Sequence, residues 1–158
     1  MRGYVPDFKV QNVVEYITTV MCDLHDRMTK LGKPISFMLD TDHDEVQVNY
    51  NRELFEWVIE NIVKNAIEAI ESQTGAITIH IHDQSDKVFI DITDTGKGLD
   101  SRQRKDIFRP GYTTKTRGWG LGLSLATRII DEYHHGKLFV KDSSPGKGTT
   151  FRIRLEKT

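Results

Sequence analysis

Apolar residues recur at helical spacing from Val13 to Leu31, at Val13, Ile17, Val20, Met21, Leu24, Met28 and Leu31, and Gly32 supplies a stop. Residues Met1 to Asn12, with Pro6, read as a short extended lead-in. Pro34–Leu39 and Glu45–Tyr50 read as strands flanking the polar turn Asp40–Asp44. A long helix is predicted over Asn51–Ser72, with Asn51 as its N-cap and Phe55, Ile59, Ile62, Ala66, Ala69 and Ile70 on its apolar face. Strict alternation then predicts strands over Ala76–His82 and Lys87–Thr93. Leu99–Arg117 shows little periodicity. A helix follows Gly122, with Ala126, Ile129, Ile130 and Tyr133 toward the core, and Gly136 ends it. Strands at Lys137–Lys141 and Thr149–Glu156 close the chain.

The strands alternate in a way that dries one face of a sheet and wets the other. Ile77, Ile79 and Ile81 oppose Thr78, His80 and His82; Phe151, Ile153 and Leu155 oppose Thr150, Arg152 and Arg154. The economical arrangement is an α/β (α+β) two-layer sandwich: a mixed, mostly antiparallel sheet with about three helices on one face.

Composition narrows the function classes. The 158 residues suit one domain. A net charge of -1 gives no global attraction for nucleic acid or an anionic membrane, so neither is expected as a partner. With one cysteine, Cys22, there is no internal disulfide and no thiolate metal cluster; its place in a helical pattern predicts a small core residue. No apolar run is long enough to span a bilayer, and the expected location is the cytoplasm, compatible with a parent protein anchored in the inner membrane.

Four constellations point to chemistry. On the long helix, Asn61, Asn65 and Glu68 form a stripe bordering the apolar face. Asparagine is a poor residue for a helix interior. Its carboxamide oxygen suits Mg²⁺, which prefers oxygen and shares its shell with nucleotide phosphates. A strand runs into Asp94, with Gly96 and Gly98 behind it, where a carboxylate can accept from an exocyclic amine while a flat ring lies over opened backbone. Asp94-Thr95-Gly96 also spells the aspartic-protease triplet, but nothing else in the chain supports that reading.

The aperiodic stretch carries Arg102, Arg104, Lys105, Arg109, Lys115 and Arg117 against Asp100 and Asp106, a charge balance suited to covering an anion, with Ile107 and Phe108 able to pin it. Finally, Gly118, Gly120 and Gly122 precede a helix start that can cradle phosphate. They match neither the P-loop nor the dinucleotide-binding pattern. The threonine hydroxyl of Gly148-Thr149 could assist at a base. His80 and His82 share the wet face, where solvation is favoured over a metal. His134-His135 is expected at a helix C-terminus, where positive charge suits the dipole.

In their order and spacing these motifs resemble the ATP-binding catalytic domain of bacterial sensor histidine kinases, in the GHKL superfamily, from about Phe8 onward. Asn61-Ile-Val-Lys-Asn65-Ala66 resembles the N box, with Asn65 at the Mg²⁺ ligand. Asp94-Thr-Gly96-Lys-Gly98 resembles the G1 box, with Asp94 at the adenine-binding aspartate. Ile107-Phe108-Arg-Pro-Gly-Tyr-Thr-Thr114-Lys115 resembles the F box of the ATP lid. Gly118-Trp-Gly120-Leu121-Gly122-Leu123 resembles the G2 box, with Trp119 where many relatives carry a smaller residue. Gly146-Lys-Gly148-Thr149-Thr-Phe151 resembles the last glycine motif.

The resemblance implies the Bergerat α/β sandwich, with ATP and Mg²⁺ as cofactors. It places Asn61 and Asn65 in catalysis and Asn65 on the metal. Asp94, Gly96, Gly98, Phe108, Thr114, Lys115, Arg117, Gly118, Gly120, Leu121, Gly122, Leu123 and Thr149 join Asn65 around the nucleotide.

Two departures shape the expected function. Hydrolysing relatives place a glutamate four residues before the Mg²⁺ asparagine; that position is Asn61, with Glu60 one step round the helix. Phosphoryl transfer to another protein is therefore favoured over hydrolysis. The family's phosphoaccepting histidine belongs to a two-helix dimerisation hairpin. His25-Asp26-Arg27 mimics its start without the expected proline, so His25 reads as a helix-surface residue.

Residues 1–158 are thus expected to form one catalytic domain, with 1–7 a linker remnant and the dimerisation domain absent. The implied partners are the dimerisation/histidine-phosphotransfer domain of a parent kinase and, downstream, a response regulator, with no direct membrane contact. The chain alone is not expected to autophosphorylate. The alternatives are an ATPase switch of the same superfamily, an anti-sigma-type serine kinase, or a degenerate domain that only binds partners.

Overall fold

The computed structural model describes residues 7–70, 74–110 and 122–157. Strand β1 (Lys9–Asn12) runs directly into α1 (Val13–Lys30). Asn12 makes that junction: its side-chain oxygen accepts from the N–H groups of Val14 and Val46, each at 3.1 Å. Next come β2 (Ile35–Thr41), β3 (Gln47–Tyr50) and α2 (Arg52–Ala69). Asn51 caps α2, accepting from the Leu54 N–H at 2.8 Å, a contact worth about 1 kcal/mol. Strands β4 (Gly75–Asp83) and β5 (Lys87–Asp94), the short helix α3 (Ser101–Asp106), α4 (Gly122–Arg128), and strands β6 (Lys137–Ser143) and β7 (Thr149–Glu156) complete the described chain.

The main sheet has the order β2-β4-β5-β7-β6. Only β2 and β4 run parallel, because β3 and α2 form the crossover between them; the other pairs are antiparallel. Ile77, Ile79, Ile81, Ile90, Ile92 and Ile153 are fully buried beneath Phe55, Val58, Ile59, Ile62 and Val63 of α2. The opposite face carries half-buried Thr78, His80, His82, Arg152 and Arg154. This is the two-layer sandwich with one dry and one wet sheet face that the alternation predicted.

Several local expectations change. The lead-in contains a strand, and β3 pairs with it rather than with β2, as a separate two-stranded antiparallel sheet. Cys22 is exposed, not buried, because the core stripe of α1 runs through Ile17, Val20, Met21 and Leu24 and leaves position 22 to solvent. The aperiodic segment contains α3, closed by a capping box in which Asp100 accepts from the Gln103 N–H and the Gln103 side chain accepts from the Asp100 N–H. Ile107 and Phe108 pack against the core, as expected of pins.

The last helix also differs. After Arg128 it continues as a π-helical turn, Ile129–Tyr133. The wider turn retards the phase of the side chains. Tyr133 is therefore exposed and His134 is buried, the reverse of the pattern read at regular helical spacing. His134 Nε2 accepts from the Asn51 N–H at 3.2 Å, and Nδ1 lies 3.0 Å from the Ile129 carbonyl, to which it donates. His134 is thus a neutral link between α2 and the π turn, not a cation at a helix end.

Burial depresses the His134 pKa, only partly offset by the Ile129 carbonyl, with His135 adding to the depression. Below a pH of about 6.5 the unfolded chain takes up this proton before the folded chain does. Stability is therefore lost as pH falls from about 6.5 toward the folded pKa. Urea midpoints measured between pH 7.5 and 5.5 should decline in the native chain, and His134→Gln should flatten the decline. Equal slopes would contradict this role.

Candidate functional site

The site is organised by the end of β5. Asp94 is only 3 % exposed, and its Oδ1 accepts from the Gly96 N–H at 2.8 Å. It pairs across the sheet with Thr149, the first residue of β7. Burial pushes the Asp94 carboxyl up, against the backbone N–H groups of Gly96 and Thr149, which favour its charged form.

Three backbone segments meet here. The Lys97 N–H donates to the Ala69 carbonyl at the end of α2 (2.9 Å), and the Gly146 N–H donates to the Lys97 carbonyl (2.7 Å). Gly98 and Gly148 both have left-handed φ, +74° and +75°. A Cβ at Gly98 would collide with the Ser144 carbonyl oxygen, and one at Gly148 with that of Asp94. A Cβ at Gly96 would strike the Ala69 backbone at 2.6 Å. These glycines let the protein approach itself: the space that the sequence reading kept for a flat ring is, in their Cβ directions, filled by neighbouring backbone.

Ser143 ties the knot, although no motif pointed to it. Its Oγ accepts from the Leu99 N–H (2.8 Å) and lies 3.1 Å from the Gly148 carbonyl and 2.8 Å from Thr149 Oγ1. The only sequence signal was its place beside a glycine-rich turn. Arg104 of α3 donates to the Ser143 carbonyl at 3.2 Å, so one of the cations expected over an anion is anchored to the hairpin. Phe108 stands edge-on to Phe151, with centroids 6.1 Å apart.

The asparagine stripe lies along α2 from this knot toward α4. Asn61 donates to the Trp57 carbonyl at 2.7 Å, one turn back. Its Oδ1 would be 2.9 Å from a Cβ on Gly122, the first residue of α4. Asn65 is half-buried, and its carboxamide has no hydrogen-bond partner among the described residues. Asn61 to Ala69 spans about 12 Å along the helix, so Asn65 falls midway between the Gly122 contact and the Gly96 contact. Leu123 is buried and anchors the start of α4. Glu60 points elsewhere, with its carboxylate 3.5 Å from the Arg27 guanidinium on α1.

The structure thus gathers Asp94, Gly96, Gly98 and Thr149 at one end, places Asn65 between, and brings Asn61 to Gly122 and Leu123 at the other. Thr114, Lys115, Arg117, Gly118, Gly120 and Leu121 lie outside the described residues.

The described chain thus holds a buried strand-end carboxylate and an asparagine-bearing helix in a two-layer sandwich. Residues 50–158 match the family of histidine kinase-, DNA gyrase B- and HSP90-like ATPases, and the chain belongs to that family. It has the fold of the catalytic domain of histidine kinase ThkA, with a TM-score of 0.85 at 32% identity, covering 96% of this chain and 99% of that one. It is 41% identical over 122 residues to the signal transduction histidine-protein kinase AtoS of Escherichia coli K12, covering 77% of this chain and 20% of that protein. It is also 35% identical over 144 residues to sporulation kinase E of Bacillus subtilis 168, covering 89% and 19%. The chain spans about a fifth of the length of these curated relatives. These findings identify it as an ATP-binding catalytic domain of the sensor histidine kinase type. Among the described residues, no helix is long and apolar enough to cross a membrane.

The Asn61–Gly122 approach yields a specific expectation. Gly122→Ala suits a helix, yet its methyl must displace the Asn61 carboxamide. Titration calorimetry should show MgATP affinity reduced at least about tenfold while the urea midpoint changes little. Unchanged affinity would show that Asn61 need not hold its place.

Proposed function

We propose that this chain binds MgATP and transfers its γ-phosphoryl group to a histidine on a dimerisation/histidine-phosphotransfer domain of a parent kinase. The observation that carries the reading is the buried Asp94 carboxylate, held at the strand end where Gly96 and Lys97 meet the end of α2, the helix that carries Asn65 one turn earlier. Asp94 accepts from the exocyclic amine of adenine. Gly96, Gly98 and Thr149 support it by fixing the backbone around it, and Phe108 packs the segment leading into the ATP lid.

The donor chemistry fits Mg²⁺. Asn65 offers a neutral amide oxygen that adds no repulsion to a polyphosphate. Held by Asn65, Mg²⁺ would supply neutralisation of phosphate charge. Asn61, set between Trp57 and Gly122, orients the phosphate end. In this proposal the triphosphate is the ligand of Thr114, Lys115, Arg117, Gly118, Gly120, Leu121, Gly122 and Leu123, as the family resemblance implies. Catalysis here consists of positioning and charge neutralisation.

Transfer is favoured over hydrolysis because the position one turn before Asn65 carries the amide Asn61 and not a carboxylate that could activate water. Glu60 is engaged with Arg27 instead. One structural relative, histidine kinase ThkA, has been solved in complex with the response regulator protein TrrA, at a TM-score of 0.82 and 30% identity. By that likeness, a response regulator is the proposed downstream partner. The cytoplasm is the location proposed for the domain.

The test supplies the chain with γ-labelled ATP, Mg²⁺ and a separate histidine-bearing dimerisation domain. Label should move to that domain in an acid-labile form, and free phosphate released without the acceptor should stay at background. Acid-stable label would indicate a serine acceptor. Rapid phosphate release abolished by Glu60→Gln would indicate a hydrolase.

A further inference from the structure

The open face of the sheet holds a second cluster, remote in character from the nucleotide site. His80 and His82 are two apart on β4, so both side chains leave the same face, and their rings stack with centroids 3.8 Å apart. Asp42 follows the end of β2 and continues its pairing with β4, its N–H donating to the Ile81 carbonyl at 3.2 Å. That sets its carboxylate beside the edges of the two stacked rings. Oδ1 lies 3.8 Å from His80 Nε2, and Oδ2 lies 3.8 Å from His82 Nδ1.

We propose that Asp42, His80 and His82 form a binding site for one divalent transition-metal ion, with Zn²⁺ the best fit. One ligand atom from each residue lies within 4.8 Å of the others. Zinc bonds of about 2.0–2.1 Å place tetrahedral ligand atoms about 3.3–3.4 Å apart, so the Asp42 oxygens close by about 0.5 Å and the two rings turn out of their stack to aim one nitrogen each at the ion. Two imidazoles and one carboxylate exclude Mg²⁺ and Ca²⁺ as preferred ions and leave a fourth position for solvent.

The surroundings match a metal site more closely than a solvated face. Each histidine offers Asp42 one nitrogen and turns the other toward a second carboxylate: His80 Nδ1 is 3.5 Å from Asp40, and His82 Nε2 is 3.6 Å from Asp91. Such outer carboxylates orient metal-bound imidazoles and strengthen them as ligands. Asp42 is itself oriented, because Oδ2 accepts from the Asp83 N–H at 3.2 Å.

Charge adds to the case. Asp91 is matched by a paired hydrogen bond from Arg152 (2.7 and 2.8 Å) and by Lys141 at 3.7 Å, and Asp83 by Lys157 at 2.6 Å. Asp40 and Asp42 have no lysine or arginine partner among the described residues. The carboxylates left without such a partner are the ligand Asp42 and its neighbour Asp40, where a dication would balance the charge. The sequence alone showed His80 and His82; Asp40 and Asp42 join them only through the parallel pairing of β2 with β4.

Cobalt(II), whose visible bands report coordination, is titrated into the nucleotide-free chain and then displaced by Zn²⁺. One equivalent should bind. His82→Ala and Asp42→Asn should each weaken it at least tenfold while leaving MgATP affinity unchanged, which also shows that the variants fold. Zn²⁺ should raise the native Tm and not that of Asp42→Asn, a substitution of near-equal shape at an exposed position. Absence of a bound equivalent, or equal affinity in native and variant chains, would overturn the proposal. So would loss of binding on His25→Ala, which would place the ion elsewhere.

Discussion

The approach of the β6–β7 turn to the end of β5 is the constraint on which the rest of the site depends. Gly148 lies against the Asp94 carbonyl and Gly98 against that of Ser144, at separations that admit no side chain. Because these backbones touch, Asp94 is shut away from water while its carboxylate still meets the N–H groups of Gly96 and Thr149. A desolvated carboxylate with its charge partly supported by backbone dipoles is primed to accept a further donor. The loss of solvation is a cost to the fold, offset by the hydrogen bonds that knot Lys97, Ser143 and Gly146 together. The proposed adenine contact and these close backbone approaches therefore fall on the same few residues.

A second close approach sets the other end. Asn61 reaches back to its own helix at Trp57 and presses its oxygen toward Gly122, so the spacing between α2 and the start of α4 depends on two small choices of residue. Asn65 sits between these fixed ends without a described partner of its own. The helix that forms the centre of the core on one side thereby becomes the floor of the site along its border. His134 reinforces this from below, since the N–H it accepts comes from the residue that caps α2.

Much of this was legible in the chain, for physical reasons. The period-two alternation in β4, β5 and β7 is strong because one face is dry, and the N-cap at Asn51 is a local interaction between neighbours. What was not legible depended on distance or on phase. β1 and β3 pair across the whole of α1, and nothing in either short run specifies the other. The six residues of α3 are all polar, so no period marks them, although the Asp100–Gln103 capping box was present as a signal. The π turn at Ile129–Tyr133 exchanges Tyr133 for His134 in the core, a shift that regular spacing cannot show. The glycines at 98 and 122 stood out in the sequence as places for a ligand, and the structure adds that at 98, 122 and 148 a Cβ would meet the protein itself. Ser143 was missed because a single serine beside a turn carries no pattern.

The central claim is that Asp94 and Asn65 form one nucleotide site. It is tested most directly by titrating MgATP and MgGTP calorimetrically into the native chain, Asp94→Ala and Asn65→Ala. The account predicts Mg²⁺-dependent binding with a preference for ATP in the native chain. Asp94→Ala should lose that preference along with at least about tenfold in ATP affinity, the scale of a hydrogen bond to a charged group. Asn65→Ala should lose the Mg²⁺ dependence. Equal ATP affinity and equal nucleotide preference in all three folded proteins would contradict it.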